Sequence, residues 1–326
     1  MIAFGCAITD HKLYHRCAEP GINLVAEPDS KIIPLGSSGL GTASIFRNYN
    51  LLLEEALKLD DLELLVLIHQ DAEIVDRDFC AKVRAGLSDP EVGILGCAGA
   101  VGVRNIAWWD GTVTLASFSH HYTEYGGGEI LGSTYDLDAA PPEAHAGEVD
   151  TIDGFMMALP PWTIENIRFD ESLGQFHGYD FDLCQQIRGA GKKVMAEHIM
   201  VIHHHSLDLI PDQDGWIAAH MRVAEKWDGR LSPSQTVPGD WKERARWAEA
   251  RRDAALMKAN EAGLVKHAAM VNFERERLSI EQSASWRLTK PLRWLKSLFG
   301  RGGGVRRNGA EPSVDDGAPA WSADQK

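Results

Sequence analysis

The sequence has no long uninterrupted apolar run and few cysteines for its length. No segment approaches the roughly 18 consecutive apolar residues that a membrane-spanning helix requires. The first apolar stretch, residues 1–8, lacks the basic start of a signal peptide. The 326 residues include five cysteines, none in a Cys-x-x-Cys pair, at positions 6, 17, 80, 97 and 184. We therefore expect core cysteines, no spanning helix and a cytoplasmic location.

Positive charge is also in short supply, since the formal net charge at pH 7 is −14. A phosphate backbone would repel such a chain, which argues against general nucleic-acid binding. The apolar fraction of 44% and the charged fraction of 25% are those of an ordinary globular protein. The length is enough for one large α/β domain with an extension.

A short apolar run ending in polar residues stands out at 64–71. Residues 64–68 are all apolar, and His69 and Asp71 follow them. This pattern predicts a strand buried on both faces of a sheet. Ligands of open α/β sheets bind beyond the carboxyl ends of the strands, so Asp71 is a candidate ligand-binding or metal-binding residue. The alternative is that Asp71 only caps a following helix over 72–87.

Strand and helix patterns alternate along the first half of the chain. Alternation of this kind is typical of a parallel sheet covered by helices. The middle segment, 98–148, breaks the rhythm and predicts a loop and antiparallel hairpins over the sheet, with alternating segments at 112–118 and 129–135. The predicted strands are 2–8, 22–26, 64–69, 92–97 and 193–202. The predicted helices are 11–18, 43–58, 76–87, 181–190 and 216–227.

Three polar clusters lie at predicted strand ends or helix starts: His69 with Asp71, Asp180 with Asp182, and the run 203–205. A carboxylate and an imidazole at neighbouring strand ends suit a divalent ion. A separate carboxylate at a helix start suits a general base. The alternatives are a surface patch of histidines, and aspartates that only favour a helix N-terminus.

Five motifs occupy residues 44–50, 67–71, 149–155, 169–171 and 176–184. In this order they resemble those of family 2 glycosyltransferases of the GT-A fold, and within them the bacterial subgroup named for a streptomycin-biosynthesis protein. The resemblance covers residues 1–210. It implies a Rossmann-like, mostly parallel sheet with helices on both faces. It also implies a nucleotide-sugar donor bound across the first half of the sheet, with its diphosphate bridged by a metal.

The resemblance assigns a metal site to the cluster around Asp71. The sequence His69-Gln70-Asp71 looks like the family's DxD motif, with histidine replacing the first aspartate. Asp71 would then hold Mn²⁺ or Mg²⁺, while His69 would face the ribose or diphosphate of the donor. One histidine of the run 203–205 resembles the residue that completes metal binding in the family. His204 is the favoured candidate, and His203 and His205 are the alternatives.

A catalytic base is implied by Gly178-Tyr179-Asp180. This sequence is similar to the family's Glu-Asp motif, with tyrosine replacing glutamate. Asp180 would take the proton of the acceptor hydroxyl as that oxygen attacks the anomeric carbon. One base opposite the leaving group implies inversion of configuration.

Further binding residues are expected on both sides of this site. The flat tryptophan rings could face a sugar, although packing within a hairpin is the alternative for that pair. The donor side is assigned to Thr9, Asp10, Asn50, His69 and Asp71. The acceptor side is assigned to Trp108, Trp109, Asp153, His177 and Asp182.

The C-terminal third changes in composition. We divide the chain into a glycosyltransferase domain at 1–210, a helical extension at 211–285, a basic amphipathic helix at 286–300 and a disordered tail at 301–326. Helices over 241–286 could mediate a homo-oligomer or bind a partner. Residues 286–307 hold seven basic and no acidic side chains. This predicts contact with an anionic inner membrane face, at about 1 kcal/mol per basic residue, or docking on the protein's own acidic surface.

The function these patterns predict is transfer of a sugar from a nucleotide-sugar donor to a glycan or lipid-linked acceptor in bacterial surface polysaccharide assembly. A sugar nucleotidyltransferase is a rival, but that class carries a glycine-rich basic loop where this chain has Thr9-Asp10-His11-Lys12. A catalytically silent sugar-binding or scaffolding protein is the second rival.

Overall fold

The structure, a computed structural model, describes residues 1–36, 44–103, 105–111, 113–122, 146–205, 212–227, 230, 252, 266–268 and 270–289. The chain divides into two compact units, Met1–Thr236 and Val237–Lys326. The first unit contains every strand described below.

The strands of the first unit form one large sheet and two small ones. In chain order they are β1 (Ile2–Ile8), β2 (Lys31–Gly36), β3 (Leu64–Ile68), β4 (Ala72–Ile74), β5 (Val92–Gly96), β6 (Ala98–Val101), β7 (Val113–Ala116), β8 (Phe118–Tyr122), β9 (Gly147–Val149), β10 (Thr151–Ile152), β11 (Met156–Leu159), β12 (Lys193–Ala196) and β13 (Val201–His205). The large sheet has the order β2-β1-β3-β11-β5-β12-β9. Strands β11 and β9 run opposite to the other five. The predicted α/β fold with a mostly parallel sheet is confirmed.

Helices cover this sheet. They are α1 (His11–Arg16), α2 (Ala18–Val25), α3 (Ile45–Ala56), α4 (Phe79–Gly86), α5 (Pro161–Asn166), α6 (Tyr179–Gly189) and α7 (Gln213–Trp227). Helix α3 packs on β1, β2 and β3. It buries Phe46, Tyr49, Leu52 and Leu53, whose spacing of three and four residues places them on one helix face. The predicted helix at 43–58 therefore forms because its apolar stripe meets the sheet.

Strand β3 lies at the centre of the core. All five of its side chains are buried, with at most 2% exposure, which confirms the predicted strand buried on both faces. Its neighbours are β1 on one side and β11 on the other. The five cysteines are buried and unpaired, as expected for small core residues.

One predicted strand was wrong. Residues 22–26 were expected to form a strand, but Ile22 and Val25 belong to α2, where they are buried together with Ala18. The spacing 18, 22, 25 is helical, and a short apolar run does not reveal this by itself. The helix predicted over 76–87 corresponds to α4, which begins at Phe79. The alternative for Asp71, a helix over 72–87, is wrong because 72–74 form β4. Asp71 therefore does not cap a helix.

The predicted strand 193–202 is two strands in different sheets. Strand β12 belongs to the large sheet, whereas β13 lies between β4 and β8 in a three-stranded sheet. The other small sheet has the order β10-β6-β7. Antiparallel pairing of β6 with β7 agrees with the hairpins predicted after residue 98. The segment predicted at 129–135 lies outside the described residues.

In the second unit, residues 270–282 are helical and Ala284–Leu288 form a short helix. Exposed large apolar side chains of this unit include Met270, Phe273, Ile280 and Leu288. Of the predicted basic segment 286–307, only residues 286–289 are described. None of the helices in the described ranges combines the length and apolarity needed to cross a bilayer.

Candidate functional site

A cleft of about 170 Å³ opens at the end of β3. Its walls include His69 and Asp71 from the loop after β3, His203 from β13 and Asp180 from α6. Backbone pairing fixes Asp71 next to β13. His203 pairs with Ala72 across β13 and β4, and the N–H of His204 donates to the carbonyl of Asp71 at 2.8 Å. Residues far apart along the chain thus meet at one site.

Asp71 lies between two imidazoles. Its Oδ1 is 3.8 Å from Nδ1 of His69 and 3.7 Å from Nε2 of His203. One ligand atom from each residue lies within 4.8 Å of the others. Ligands that each sit about 2.1 Å from one ion are roughly 3–4 Å apart. The donor set therefore fits a single divalent cation.

The charged and polar groups of this cluster keep its carboxylate ionised. Burial opposes ionisation of Asp71, but the imidazoles of His203 and then His69 outweigh it and hold the pKa of Asp71 well below its ordinary value. Burial lowers the pKa of His69, so that its imidazole stays neutral at pH 7. For His203, burial is outweighed by the charge of Asp71, which raises the pKa. An ionised carboxylate thus stands beside imidazoles that a metal would bind in their neutral form.

His204 is not part of the cluster, contrary to the expectation that favoured it. Its Nε2 lies 2.8 Å from Oε2 of Glu73, and the ring packs edge-on against His121. Side chains alternate along a strand, so His203 and His205 face the cleft while His204 faces the other side of the small sheet. The aromatic ring of Phe155 stacks on His203 at 4.8 Å.

Asp180 lies across the cleft at the start of α6. Its Oδ2 accepts the N–H of Gly154 at 3.0 Å, and its Oδ1 accepts the N–H of Phe181 at 2.8 Å. Burial, followed by the nearby charge of Asp153, raises the pKa of Asp180 to about 7. A carboxylate that titrates near neutrality can accept and release a proton at physiological pH.

Asp153 and the tryptophan pair form another wall. The indole Nε1 of Trp108 donates to Oδ2 of Asp153 at 2.6 Å. Trp108 is buried, whereas Trp109 is 51% exposed, and both line the cleft with His177. Trp108 thus packs in the core and also borders the cleft.

A second opening, of about 130 Å³, adjoins the cleft and shares three of its lining residues, His69, Asp71 and Phe176. Thr9 lines it. The side chain of Gln70 links the loop after β3 to the end of β1. Its Oε1 accepts the N–H groups of Thr9 and Asp10, each at 2.9 Å, and its Nε2 donates to the Thr9 hydroxyl at 2.8 Å.

The side chain of Asp10 caps the N-terminus of α1. Its Oδ1 accepts the N–H groups of Lys12 and Leu13 at the start of α1, and its side chain is not among those lining either opening. An N-cap of this kind typically stabilises a helix by ~1 kcal/mol.

Asn50 and Asp182 lie away from both openings. Asn50 is buried and exchanges two hydrogen bonds of 2.9 Å with the backbone of Phe169. Asp182 is 1% exposed and accepts Nε1 of Trp227 at 2.7 Å while pairing with Lys226 at 2.7 Å. Neither residue is among those lining the two openings, because each satisfies buried polar groups from a distant part of the chain.

The sequence analysis assigned no role to three residues that line the two openings. Gln70 sits in the middle of a recognised motif without an assigned role, and Phe176 is a 52% exposed aromatic residue that lines both openings. Tyr179 places its hydroxyl 2.6 Å from Nε2 of His69. Two features of the sequence could have indicated these residues: the position of Gln70 inside the His69-Gln70-Asp71 motif, and the position of Phe176 directly before His177.

Comparison with known proteins assigns a family. Residues 3–220 match the Glycosyltransferase like family. The streptomycin biosynthesis protein StrF of Streptomyces griseus is 30% identical over 208 residues, which are 63% of this chain and 67% of that protein. The O-antigen biosynthesis protein RfbC of Myxococcus xanthus is 25% identical over 182 residues, which are 52% of this chain but 13% of that protein.

Among solved structures, the mannosyltransferase PcManGT of Pyrobaculum calidifontis, in complex with GDP-Man and Mn²⁺, aligns over 92% of this chain and 87% of its own, with 15% identity and a TM-score of 0.42. The family match covers most of the described first unit, including the strands and helices that build the cleft. The chain belongs to the Glycosyltransferase like family, as the order of its motifs predicted.

Proposed function

We propose that the chain transfers a sugar from a nucleoside diphosphate sugar to a hydroxyl of a glycan or lipid-linked acceptor. The observation that supports this most is that Asp71, His203 and Asp180 line one cleft. A candidate cation site and a candidate proton acceptor thus face the same space. The similarity to an O-antigen biosynthesis protein supports an acceptor in bacterial surface polysaccharide assembly.

The donor would occupy the opening between β1 and β3. Its nucleoside would lie beside Thr9 and Tyr49, which line that opening, and its diphosphate would reach Asp71. The hydrogen bonds of Gln70 to the end of β1 fix the two strand ends relative to each other. This rigidity would hold the donor at low entropic cost.

Asp71 and His203 would hold Mn²⁺ or Mg²⁺. A divalent ion at this position supplies positive charge that stabilises the departing nucleoside diphosphate. The carboxylate of Asp71 stays ionised beside two imidazoles, so it can bind a cation at neutral pH.

Asp180 would act as the base. The acceptor hydroxyl would lie in the wider cleft, between Asp180 and the exposed ring of Trp109. Loss of its proton to Asp180 would make the oxygen a better nucleophile for the anomeric carbon, and a positioned base contributes on the order of 10²–10⁴ in rate. A single base facing the donor across the cleft implies direct displacement with inversion.

Membrane and partner contacts remain predictions. The basic segment 286–307 would bind an anionic inner membrane face, and helices over 241–286 would serve an oligomer or a partner. Sedimentation with vesicles containing anionic lipid, compared with neutral vesicles, tests the first of these. Substituting glutamine for Arg287, Lys290, Arg293 and Lys296 in the full chain should abolish the difference in sedimentation between anionic and neutral vesicles.

The function is tested by release of nucleoside diphosphate from a panel of donor sugars, with acceptor glycans and with Mn²⁺ or Mg²⁺. We expect release by the wild type and a loss on the order of 10²–10⁴ in Asp180→Asn. Asp182→Asn is the matched control, because it changes a carboxylate two residues away that lies outside the cleft. Binding of nucleotide sugars without turnover would favour a silent sugar-binding protein. Turnover that survives Asp180→Asn would remove Asp180 as the base.

A further inference from the structure

A cavity of about 690 Å³ adjoins the cleft. Phe176, His177 and His205 line both spaces. The other walls include residues of the loop 172–175 and one face of α7, which contributes Arg222. Small-molecule sites in proteins usually enclose about 300–1,000 Å³. The cavity is therefore large enough to hold a part of the acceptor that extends beyond the cleft.

The loop 172–175 is a fixed wall of this cavity. On one side the N–H of Ile45, at the start of α3, donates to the carbonyl of Gln175 at 2.8 Å. On the other side Nε of Arg222 donates to the carbonyl of Leu173 at 2.5 Å. The loop is thus tied to two helices, and the position of Arg222 is set before any ligand binds.

The guanidinium of Arg222 lies against Gly174. A Cβ at Gly174 would come 2.6 Å from Nη2 of the arginine, so any larger residue would displace the guanidinium. The φ of +137° at Gly174 also favours glycine. Within the described ranges the bond to Leu173 is the only hydrogen bond of the Arg222 side chain. Its terminal N–H groups therefore remain available to a ligand.

Two other cations beside this loop have carboxylate partners. Arg47 lies 3.5 Å from Glu171, and Lys226 lies 2.7 Å from Asp170. Arg222 forms no ion pair with any residue in the described part of the chain. The chain has a formal net charge of −14, so carboxylates are plentiful, yet this guanidinium is held only by a neutral carbonyl. A planar guanidinium fork matches the paired oxygens of a carboxylate or a phosphate.

One carboxylate, Asp212, also lines the cavity, but it lies at the other end of α7. Its Oδ1 accepts the N–H of Gly215 at 2.9 Å, and the positive end of the helix offsets its charge. At about 1.5 Å per residue, Gln213 and Arg222 are roughly 13 Å apart along the helix axis. That distance exceeds the screening length of about 8 Å at physiological ionic strength. The end of the cavity at Arg222 therefore keeps a local positive charge.

We propose that this cavity is a subsite for the acceptor, and that Arg222 is a specificity-determining residue that binds an oxyanion of the acceptor. The oxyanion would be the carboxylate of an acidic sugar or the phosphate of a phosphorylated or lipid-linked one. The inference rests on the proposed function, since it names the class of acceptor for the same cleft. The reacting hydroxyl would lie at Asp180, with His177 bordering both spaces. Arg222 lies outside the residues matched by the family, 3–220, so membership of the family does not predict this role.

Binding is tested first, on the full-length protein without donor. The probes are methyl glucuronide, glucose 6-phosphate and uncharged methyl glucoside, titrated by nuclear magnetic resonance. We expect at least one anionic probe to bind about tenfold or more tightly than methyl glucoside, the usual effect of a charged hydrogen bond. The probe that binds better identifies the source of the oxyanion as an acidic sugar or a phosphate.

Arg222→Gln should remove this preference and leave the affinity for methyl glucoside unchanged. Arg222→Lys should restore only part of it, because lysine keeps the charge but not the planar fork. Arg230→Gln is the control, since it removes the same charge from an exposed arginine that lines neither the cleft nor the cavity. In the wild type, added salt should weaken binding of the anionic probe alone, which tests the charge even if a variant fails to fold.

Equal binding of the three probes by the wild type, binding of none of them, or an unchanged preference in folded Arg222→Gln would overturn the proposal. These measurements need no turnover. A protein that binds an anionic probe through Arg222 but transfers no sugar would refute only the proposed function. Transfer to anionic and neutral acceptors with the same acceptor KM would refute only the subsite.

Discussion

The carboxylates of Asp153 and Asp180 face the same cleft, and the charge of Asp153 is the second cause, after burial, of the raised pKa of Asp180. The structure keeps Asp153 in place through the indole N–H of Trp108, 2.6 Å from its Oδ2. A core tryptophan thus positions a charge that tunes the candidate base, which links packing on one side of the cleft to proton transfer on the other.

Asp153→Asn should shift the acidic limb of the pH profile. Loss of the negative charge lowers the pKa of Asp180, so the candidate base becomes ionised at lower pH. The substitution should reverse only part of the rise in the pKa of Asp180 to about 7, because burial is the larger cause. The pH dependence of kcat/KM measures it. Asp29→Asn is the control, since it changes a 65% exposed carboxylate before β2 and should not shift the pH profile. An unchanged profile in Asp153→Asn would contradict the effect of the Asp153 charge on the pKa of Asp180.

Asp180→Asn should stabilise the fold at neutral and alkaline pH. The folded pKa of Asp180 is raised above its unfolded value of 3.8 to about 7, so the stability that its protonated form contributes is complete below pH 3.8 and is lost as the pH rises through 7. The difference in free energy of unfolding between variant and wild type should therefore grow from pH 4 to pH 7 and level off above it. Urea unfolding at a series of pH values measures this, and a constant difference would refute the raised pKa.

His203→Gln and His204→Gln should differ sharply in metal affinity. His203 lies 3.7 Å from Oδ1 of Asp71, whereas His204 pairs with Glu73. We expect the first change to weaken Mn²⁺ binding by more than the roughly 10–100-fold that outer partners contribute, and the second to have no effect. Calorimetric titration of both variants provides the comparison. Loss of binding in His204→Gln alone would show that β13 has a different register.

Asp182→Asn should cost stability without changing substrate binding. Its carboxylate joins α6 to α7 through Trp227 and Lys226, and Lys226 keeps a second partner in Asp170 at 2.7 Å. Loss of charge-assisted hydrogen bonds at a buried site should reduce the free energy of unfolding by about 1–3 kcal/mol. Thermal unfolding and donor KM should be measured on the same preparation. An increased KM with unchanged stability would place Asp182 in the site after all.

The parts of the fold and site that the sequence predicted are those determined locally. Strand β3 is a continuous apolar run, and Asp71 follows it directly. Asp180 directly precedes the helix predicted over 181–190, which corresponds to α6. These features depend on residues within one element, and hydrophobic periodicity records them.

The predicted site residues outside the two openings depend on distant partners. Asn50 bonds with Phe169, 119 residues away, and Asp182 bonds with Trp227, 45 residues away. The choice between His203 and His204 depends on the pairing of β13 with β4, since a shift of one residue would exchange the two faces. Local pattern cannot reveal which distant group a polar side chain will satisfy.

Anomalous diffraction from crystals grown with Mn²⁺ and a nucleoside diphosphate tests most directly whether one cleft holds cation, donor and base. We predict a manganese peak within bonding distance of Asp71 and His203. The diphosphate should extend from this ion into the opening lined by Thr9, with Asp180 facing it across the cleft. A manganese peak elsewhere, or a diphosphate bound away from Asp71, would contradict the account.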